Sequence, residues 1–294
     1  MLLGCKGQVG SAFARLATPH WEVVPLDRDQ CDLYKLEPLR ALIRDERPSI
    51  IVNAAGYTTV ERAEREEEED LAKQANGIAP GVIAEEARRL DAYFVHYSTD
   101  YVFDGKKRTP YLETDATGPL QAYGRTKLEG EDGIRASGCR HVILRSSWVY
   151  AHRGRNFVLA ILDRARKEGR LRVVSDQTGT PTWAEDLARL TVDLLRLPKP
   201  PQGTFHAASA GHATWHEFAR EVIRLAGLTI PVEAVTTAEF PSAIERPVYS
   251  VLDSRKLART TGIPAIGDWR ERLSAFNDFE ALRNLGGLAE HDRR

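Results

Sequence analysis

The chain carries 294 residues, 42% hydrophobic and 28% charged, with 41 Lys and Arg against 42 Asp and Glu. So balanced a charge leaves no global field to recruit nucleic acid or an anionic membrane surface. Three cysteines, Cys5, Cys31 and Cys139, lack any spacing for zinc or a disulfide framework, and neither a secretory leader nor a run of about 18 apolar residues occurs, so a cytoplasmic protein is expected.

Only Met1, Leu2 and Leu3 precede Gly4, whereas a central strand runs about 5–6 residues. Either the natural start lies a few codons upstream, or the first strand is short and the loop behind it less well anchored. Gly4, Gly7 and Gly10 form a G-x-x-G-x-x-G turn that opens a helix over 8–16. Missing side chains let the backbone approach a pyrophosphate, and the helix start offers free N–H groups to it. Three glycines can equally make a plain tight turn. A strand over 21–26 follows, and Asp27, 17 residues after Gly10, stands where an acidic side chain takes adenosine ribose hydroxyls. That favours NADH, while the adjacent Arg28 suits the 2′-phosphate of NADPH, so both cofactors stay open.

Helical periodicity over 36–45 leads to a strand over 50–53 and a bend at Asn53-Ala54-Ala55-Gly56. The acidic run from Glu61 to Asp70 reads as a solvated face. A helix over 70–90, a strand over 93–97, a helix over 121–137 and a strand over 141–145 complete the alternation. That pattern implies right-handed βαβ crossovers, an α/β fold with a doubly wound parallel sheet of Rossmann type, and a ligand crevice at the carboxyl ends of its strands. After Tyr150 helices are expected over 156–168, 184–197, 214–226 and 268–279, with Pro198-Lys199-Pro200-Pro201 the clearest loop. The expected division is residues 1–150 as an NAD(P)-binding domain and 151–294 as a smaller α/β substrate-binding part, with segments around 171–196 returning to the first. The tail from about Gly286 should fray.

Thr99 follows the strand over 93–97, where its hydroxyl can donate to a carbonyl oxygen that gains negative charge. The bland alternative is a turn hydroxyl capping its own backbone. Tyr123 and Lys127 lie four apart on one helix face, about 5–6 Å apart at Cβ. A neighbouring ammonium would bring the tyrosine from near 10 toward a working range, and the lysine can also hold the nicotinamide ribose.

Longer strings carry a more specific resemblance. Gly7-Gln8-Val9-Gly10, Val52-Asn53-Ala54-Ala55, Tyr97-Ser98-Thr99-Asp100-Tyr101-Val102-Phe103-Asp104-Gly105, Tyr123-Gly124-Arg125-Thr126-Lys127-Leu128-Glu129-Gly130-Glu131, Asp176-Gln177-Thr178-Gly179-Thr180-Pro181-Thr182 and Arg246-Pro247-Val248-Tyr249-Ser250 resemble the motifs of the dTDP-4-dehydrorhamnose reductases, in the extended short-chain dehydrogenase/reductase superfamily. The likeness spans nearly the whole chain. It implies reduction of the 4-keto group of dTDP-6-deoxy-L-lyxo-4-hexulose to give dTDP-L-rhamnose, with NADPH or NADH. By it Thr99, Tyr123 and Lys127 are catalytic. Gly7, Gln8, Val9, Asp32, Leu33, Gly56, Tyr57, Thr58 and Tyr97 fall where the family contacts the cofactor, and Gly4, Gly10, Asp27, Ala55, Tyr123 and Lys127 join them. Asp100, Trp148 and Asn156 fall beside the sugar nucleotide with Thr99, although Trp148 also suits a core position. Arg246, in a proline-stiffened loop, is a candidate for the substrate diphosphate, with a surface salt bridge the alternative.

Gln121 stands where the family often has asparagine. Ala12 stands where some members carry glutamate, so no metal is expected, and a homodimer would form without a metal-assisted contact there. A sugar-nucleotide dehydratase or epimerase is the rival enzyme. Dehydratases place an Asp-Glu pair after the threonine, and here Tyr101 follows Asp100. A non-catalytic cofactor-binding regulatory subunit is the rival of another class, opposed by the complete Thr99, Tyr123 and Lys127 set.

Overall fold

Apolar runs of two to seven residues, spaced by amphipathic helices, pair side by side into one six-stranded parallel sheet. The computed structural model describes residues 1–240 and 244–276. The tail expected to fray and the last residues of the helix expected over 268–279 lie outside them. The first half runs β1 (Leu2–Leu3), α1 (Gln8–Ala17), β2 (Pro25–Leu26), α2 (Leu36–Glu46), β3 (Ile50–Asn53), α3 (Glu66–Ala72), α4 (Ala79–Arg89), β4 (Tyr93–Thr99), α5 (Ala122–Ser137) and β5 (His141–Ser146). The second half runs β6 (Val149–Tyr150), α6 (Phe157–Glu168), β7 (Leu171–Val174), β8 (Thr178–Gly179), β9 (Thr182–Trp183), α7 (Ala184–Leu195), β10 (Gly203–His206), β11 (Ala213–Thr214), α8 (Trp215–Leu225), β12 (Val232–Val235), α9 (Arg255–Thr261) and α10 (Trp269–Ala275).

The main sheet has the order β10-β5-β4-β3-β1-β2 with every pairing parallel, the doubly wound α/β arrangement expected. Apolar residues of β3, β4 and β5 are buried, as a sheet covered on both faces requires. β1 is indeed short, yet its loop is held. Gly4 and Cys5 donate their N–H groups to the Leu26 carbonyl at 2.9 and 3.2 Å, and Gly7 N–H reaches the Gly4 carbonyl at 3.0 Å. The strand expected over 21–26 shrinks to Pro25–Leu26, because β1 offers only two residues to pair with it.

The single helix expected over 70–90 is three pieces. Between α3 and α4 lies a π-helical segment, Lys73–Ile78. Pro80 has no N–H to give the Asn76 carbonyl, which instead faces Gly130, where a Cβ would sit 2.1 Å from that oxygen. The freed turn leaves the Asn76 side chain to hold Tyr57.

A second core gathers Tyr150, Phe218, Trp269 and Phe276 among α6, α8 and α10. Its strands pair as β7 with β12, β6 with β9, and β8 with β11. Of the range 171–196 expected to return to the main sheet, the part from Ala184 lies against it. β7 belongs to the second core, and the return starts at α7, which packs on the side of Leu2 and Phe13, and continues into β10 at the sheet edge. No helix among the described residues is long and apolar enough to cross a membrane.

Candidate active site

The candidate site residues gather at the carboxyl ends of β1, β3, β4 and β5. On the β1 side, Gly4 takes φ +77°, a left-handed backbone that glycine adopts without strain, and a Cβ on Gly10 would sit 2.1 Å from the Gly4 carbonyl oxygen. Gly7 is the N-cap of α1, and no side-chain hydrogen bond caps that end. The Gln8 Oε1 atom is buried there without a partner among the described residues, while its Nε2 donates to the Arg155 carbonyl at 3.3 Å. A glycine cradle, an uncapped helix start and an orphaned polar atom fit a dinucleotide.

Asp27 accepts from the N–H groups of Asp29 and Gln30 at 2.9 and 3.3 Å and pairs with Lys6, which together hold its carboxyl below the usual range. The Arg28 guanidinium lies 5.1 Å over the Tyr34 ring. Asp32 accepts from Tyr34 N–H at 3.1 Å, and Leu33 is core. At the β3 end, Ala55 N–H donates to Asn53 Oδ1 at 3.1 Å, and Asn76 brackets Tyr57 with two bonds of 2.9 Å. Gly56 needs its missing side chain, since a Cβ would lie 2.9 Å from Asn76 Oδ1. Thr58 is exposed.

The end of β4 carries Thr99, and α5 sets Tyr123 and Lys127 beside it. Thr99 is buried and donates to Asp100 Oδ1 at 3.1 Å, while its oxygen accepts from Tyr101 N–H at 3.1 Å. The backbone-capping role is thus real, and the same hydroxyl also contacts the Tyr123 phenol. Asp100 accepts a second hydroxyl, that of Ser147, at 3.0 Å; burial pushes its carboxyl up to about 6, with Ser250, Ser147 and Thr99 opposing. Tyr123 meets Tyr101 edge-on, ring centres 6.1 Å apart.

The expected lowering of Tyr123 by Lys127 is not what the fold produces. Burial pushes Tyr123 up to about 12, the Asp100 charge adds to the rise, and the Thr99 contact opposes it. Lys127 turns instead to β4, donating to the Tyr97 carbonyl at 2.6 Å with His96 Nε2 at 3.1 Å. Its burial lowers it to about 8. The Tyr97 hydroxyl bonds Thr191 at 2.7 Å.

On the second core's side, Trp148 has φ +46° and stacks on Trp215 with ring centres 3.4 Å apart, over Gly179, where a Cβ would collide with the indole. It is half-buried and packs against the second core. Asn156, expected beside the sugar nucleotide, is held by its own chain at the start of α6. Its Oδ1 caps α6 through Leu159 N–H at 3.2 Å and its Nδ2 donates to Ala151 at 2.8 Å and Arg153 at 3.3 Å, which occupies both ends of the group. Arg246 forms the salt bridge, with Glu61, and also bonds Tyr101. The acidic run is accordingly more than a solvated face, for Glu64 accepts from Ala122 N–H and Glu68 holds Tyr57 and Arg62.

The family model of the RmlD substrate binding domain matches residues 1–281. The chain belongs to this family. A dTDP-4-dehydrorhamnose reductase from Burkholderia thailandensis is 39% identical over 285 residues, 92% of this chain and 95% of that one. A probable dTDP-4,6-dihydroxy-2-methyloxan-3-one 4-ketoreductase from Streptomyces antibioticus is also 39% identical, over 97% of this chain and 96% of that one. The solved dTDP-4-dehydrorhamnose reductase of Bacillus anthracis, in complex with NADP, superposes with a TM-score of 0.89 at 31% identity, covering 94% and 96% of the two chains. The family resemblance read from the motifs is borne out.

Within this family member, sequence reasoning overlooked the groups behind the site. Ser147 and Ser250 surround Asp100, and Glu131 is held by Arg145 through bonds of 2.9 and 2.6 Å while accepting from Ser98 at 2.6 Å. Glu131 stands four residues beyond Lys127, at the spacing that puts Tyr123, Lys127 and Glu131 on one helix face. That repeat was the available signal.

Proposed function

We propose that this chain reduces the 4-keto group of dTDP-6-deoxy-L-lyxo-4-hexulose to give dTDP-L-rhamnose, using NADPH or NADH. The observation that carries the reading is the convergence of Thr99, Asp100 and Tyr123 at the end of β4, in a member of the family described above. The glycine turn with Gly4, Gly7, Gln8, Val9 and Gly10 would hold the cofactor diphosphate. Asp27, Asp32 and Leu33 would meet its adenosine half, and Ala55, Gly56, Tyr57, Thr58, Tyr97, Tyr123 and Lys127 its nicotinamide half. Trp148 and Arg246 would line the sugar-nucleotide side; residues 151–294, less the returning α7 and β10, would form the substrate-binding part. Cytoplasmic residence and a homodimer belong to the same proposal.

When bound, the cofactor supplies the hydride for the sugar carbon. Tyr123 supplies the proton. Kept as a phenol by burial and by Asp100, it is in the form that can donate to an oxygen gaining electrons. Thr99 sits beside the same position and can swing its hydroxyl from Asp100 to that oxygen, a bond that strengthens as charge develops.

Loss of NADPH and NADH absorbance, followed with the 4-keto intermediate derived from dTDP-glucose, tests the proposal. Turnover that disappears in Tyr123→Phe with cofactor binding retained supports it; near-normal turnover in that variant overturns it. A second reading, reduction of a different 4-keto sugar nucleotide, is favoured by the Streptomyces relative, whose name specifies another sugar at equal identity. Relative kcat/KM for the two substrates separates them.

A further inference from the structure

α5 starts without a cap of its own. Its N-cap residue is Gln121, whose side chain makes no capping bond and whose amide is buried with neither end partnered among the described residues. The first N–H groups of a helix have no carbonyl one turn back to receive them, and a buried one left unmet is costly. Ala122, the first residue of α5, is 1% exposed, so water is no ready substitute there. What meets its N–H is Glu64 Oε1, 58 residues earlier in the chain. The next residue along the helix is Tyr123.

We infer that Glu64 is a positioning residue for Tyr123: from the loop behind β3 it supplies the cap that α5 lacks, and so fixes the first helical turn and the phenol it carries. This rests on the catalytic reading of Tyr123 given above. Glu64 sits on a short turn in which Arg62 and Ala63 donate their N–H groups to the Thr59 carbonyl at 3.0 and 3.1 Å, and Arg65 donates to the Arg62 carbonyl at 3.0 Å. Ala63 is wholly buried, and with Ala72 and Ala122 it forms a small apolar cluster against which Tyr57 and Tyr123 pack. Further along, Glu68 ties the segment back to Tyr57 and Arg62. On the other side of the α5 turn, Gly124 lies so near the chain leaving β4 that a Cβ would sit 2.2 Å from the Tyr101 carbonyl oxygen. The turn is thus wedged between Ala63 and Tyr101, and Glu64 closes its open end. A carboxylate suits that place, because it accepts from a backbone N–H and meets the positive end of the helix dipole together.

The other partner of Glu64, Arg125, does not explain the arrangement. Their charged ends are 3.7 Å apart and the side chains are 32% and 48% exposed, a pair of little worth. The backbone contact is what reaches the site. Without Glu64 the Ala122 N–H loses its acceptor, and the first turn is free to tilt or unwind, which carries Tyr123 off its place beside Thr99. A misplacement of about 1 Å in a reacting group costs roughly 100-fold in rate. The glycine turn proposed for the cofactor diphosphate lies on α1 and is untouched by the change.

Glu64→Ala and Glu64→Gln in the full-length protein test the inference. The glutamine keeps an oxygen acceptor of the same reach, and the alanine keeps none. Glu64→Ala should lose roughly 10- to 100-fold in kcat, and Glu64→Gln should recover most of that loss. KM for the sugar nucleotide and Kd for NADPH should stay within about twofold of the parent in both. Hydrogen exchange followed by mass spectrometry gives a readout without substrate. The peptide over 119–128 should exchange about fivefold faster in Glu64→Ala, the effect of a lost helix cap, and near the parental rate in Glu64→Gln. Parental kcat in Glu64→Ala, an equal loss in the alanine and glutamine variants, or unchanged exchange over 119–128 overturns the inference. Tyr123→Phe separates it from the reading beneath it. Normal turnover in that variant brings down the catalytic reading, whereas a dead Tyr123→Phe beside a fully active Glu64→Ala brings down the role of Glu64 alone.

Discussion

The Asp100 carboxyl, rather than the Lys127 side chain, is the charged group that acts on the Tyr123 phenol. Its own folded-state acidity is raised from 3.8 to about 6. A carboxyl raised by folding favours the native state while it is protonated, so its contribution is full below the unfolded value and is lost as pH rises through about 6. Asp100→Asn removes that loss. Chemical denaturation as a function of pH should show the variant gaining up to about 3 kcal/mol over the parent above pH 6, with the difference vanishing toward pH 4. Tyr123 should also ionise at lower pH in the variant, visible as an earlier alkaline fall in kcat. Equal pH dependence for parent and variant would refute the assignment.

Gly10→Ala tests the cofactor cradle. The new methyl would sit 2.1 Å from the Gly4 carbonyl, a backbone atom that cannot rotate away. Overpacking of this kind costs about 1–3 kcal/mol. Calorimetry should show a lower Tm, and NADPH titration should show at least a tenfold weaker Kd, because the turn that moves is the one proposed to meet the diphosphate.

The sequence made the alternation of β3, β4, α5 and β5 legible because each is a single period of one kind. It hid whatever depends on a partner far along the chain. Pro80 splits the helix over 70–90 only because Gly130 of α5 lies against the Asn76 carbonyl, a contact 54 residues apart. Likewise β7 looks like any strand of the main sheet until β12 pairs with it. At the site, Thr99, Tyr123 and Lys127 could be named from motif spacing, whereas the direction in which Lys127 turns is set by the Tyr97 carbonyl and His96 across the helix–sheet interface. The helix-capping role of Asn156 was not legible, because a cap and a ligand contact use the same amide.

Glu131→Gln tests the buried pair behind the site. Arg145 and Glu131 are almost wholly buried, and Arg145 makes two bonds to the carboxylate. Removing one charge strands the other away from water, which costs about 3–5 kcal/mol. A loss of that size in urea denaturation is expected. Replacing both residues, as in Glu131→Leu with Arg145→Met, should recover much of it, since the penalty belongs to the unpaired charge.

Glu61→Gln tests the arginine assigned to the diphosphate. Glu61 engages Arg246 from the acidic loop, so a bound diphosphate and Glu61 compete for one guanidinium. The pair is partly exposed, and such pairs are worth about 0.2–1 kcal/mol. Freeing Arg246 should therefore lower KM for the sugar nucleotide by roughly 1.4- to 5-fold with kcat little changed. Arg246→Lys should raise KM, because an ammonium cannot bind two phosphate oxygens side by side. If both variants keep the parental KM, Arg246 is a structural tie between the acidic loop and Tyr101, and the diphosphate is held elsewhere in the crevice.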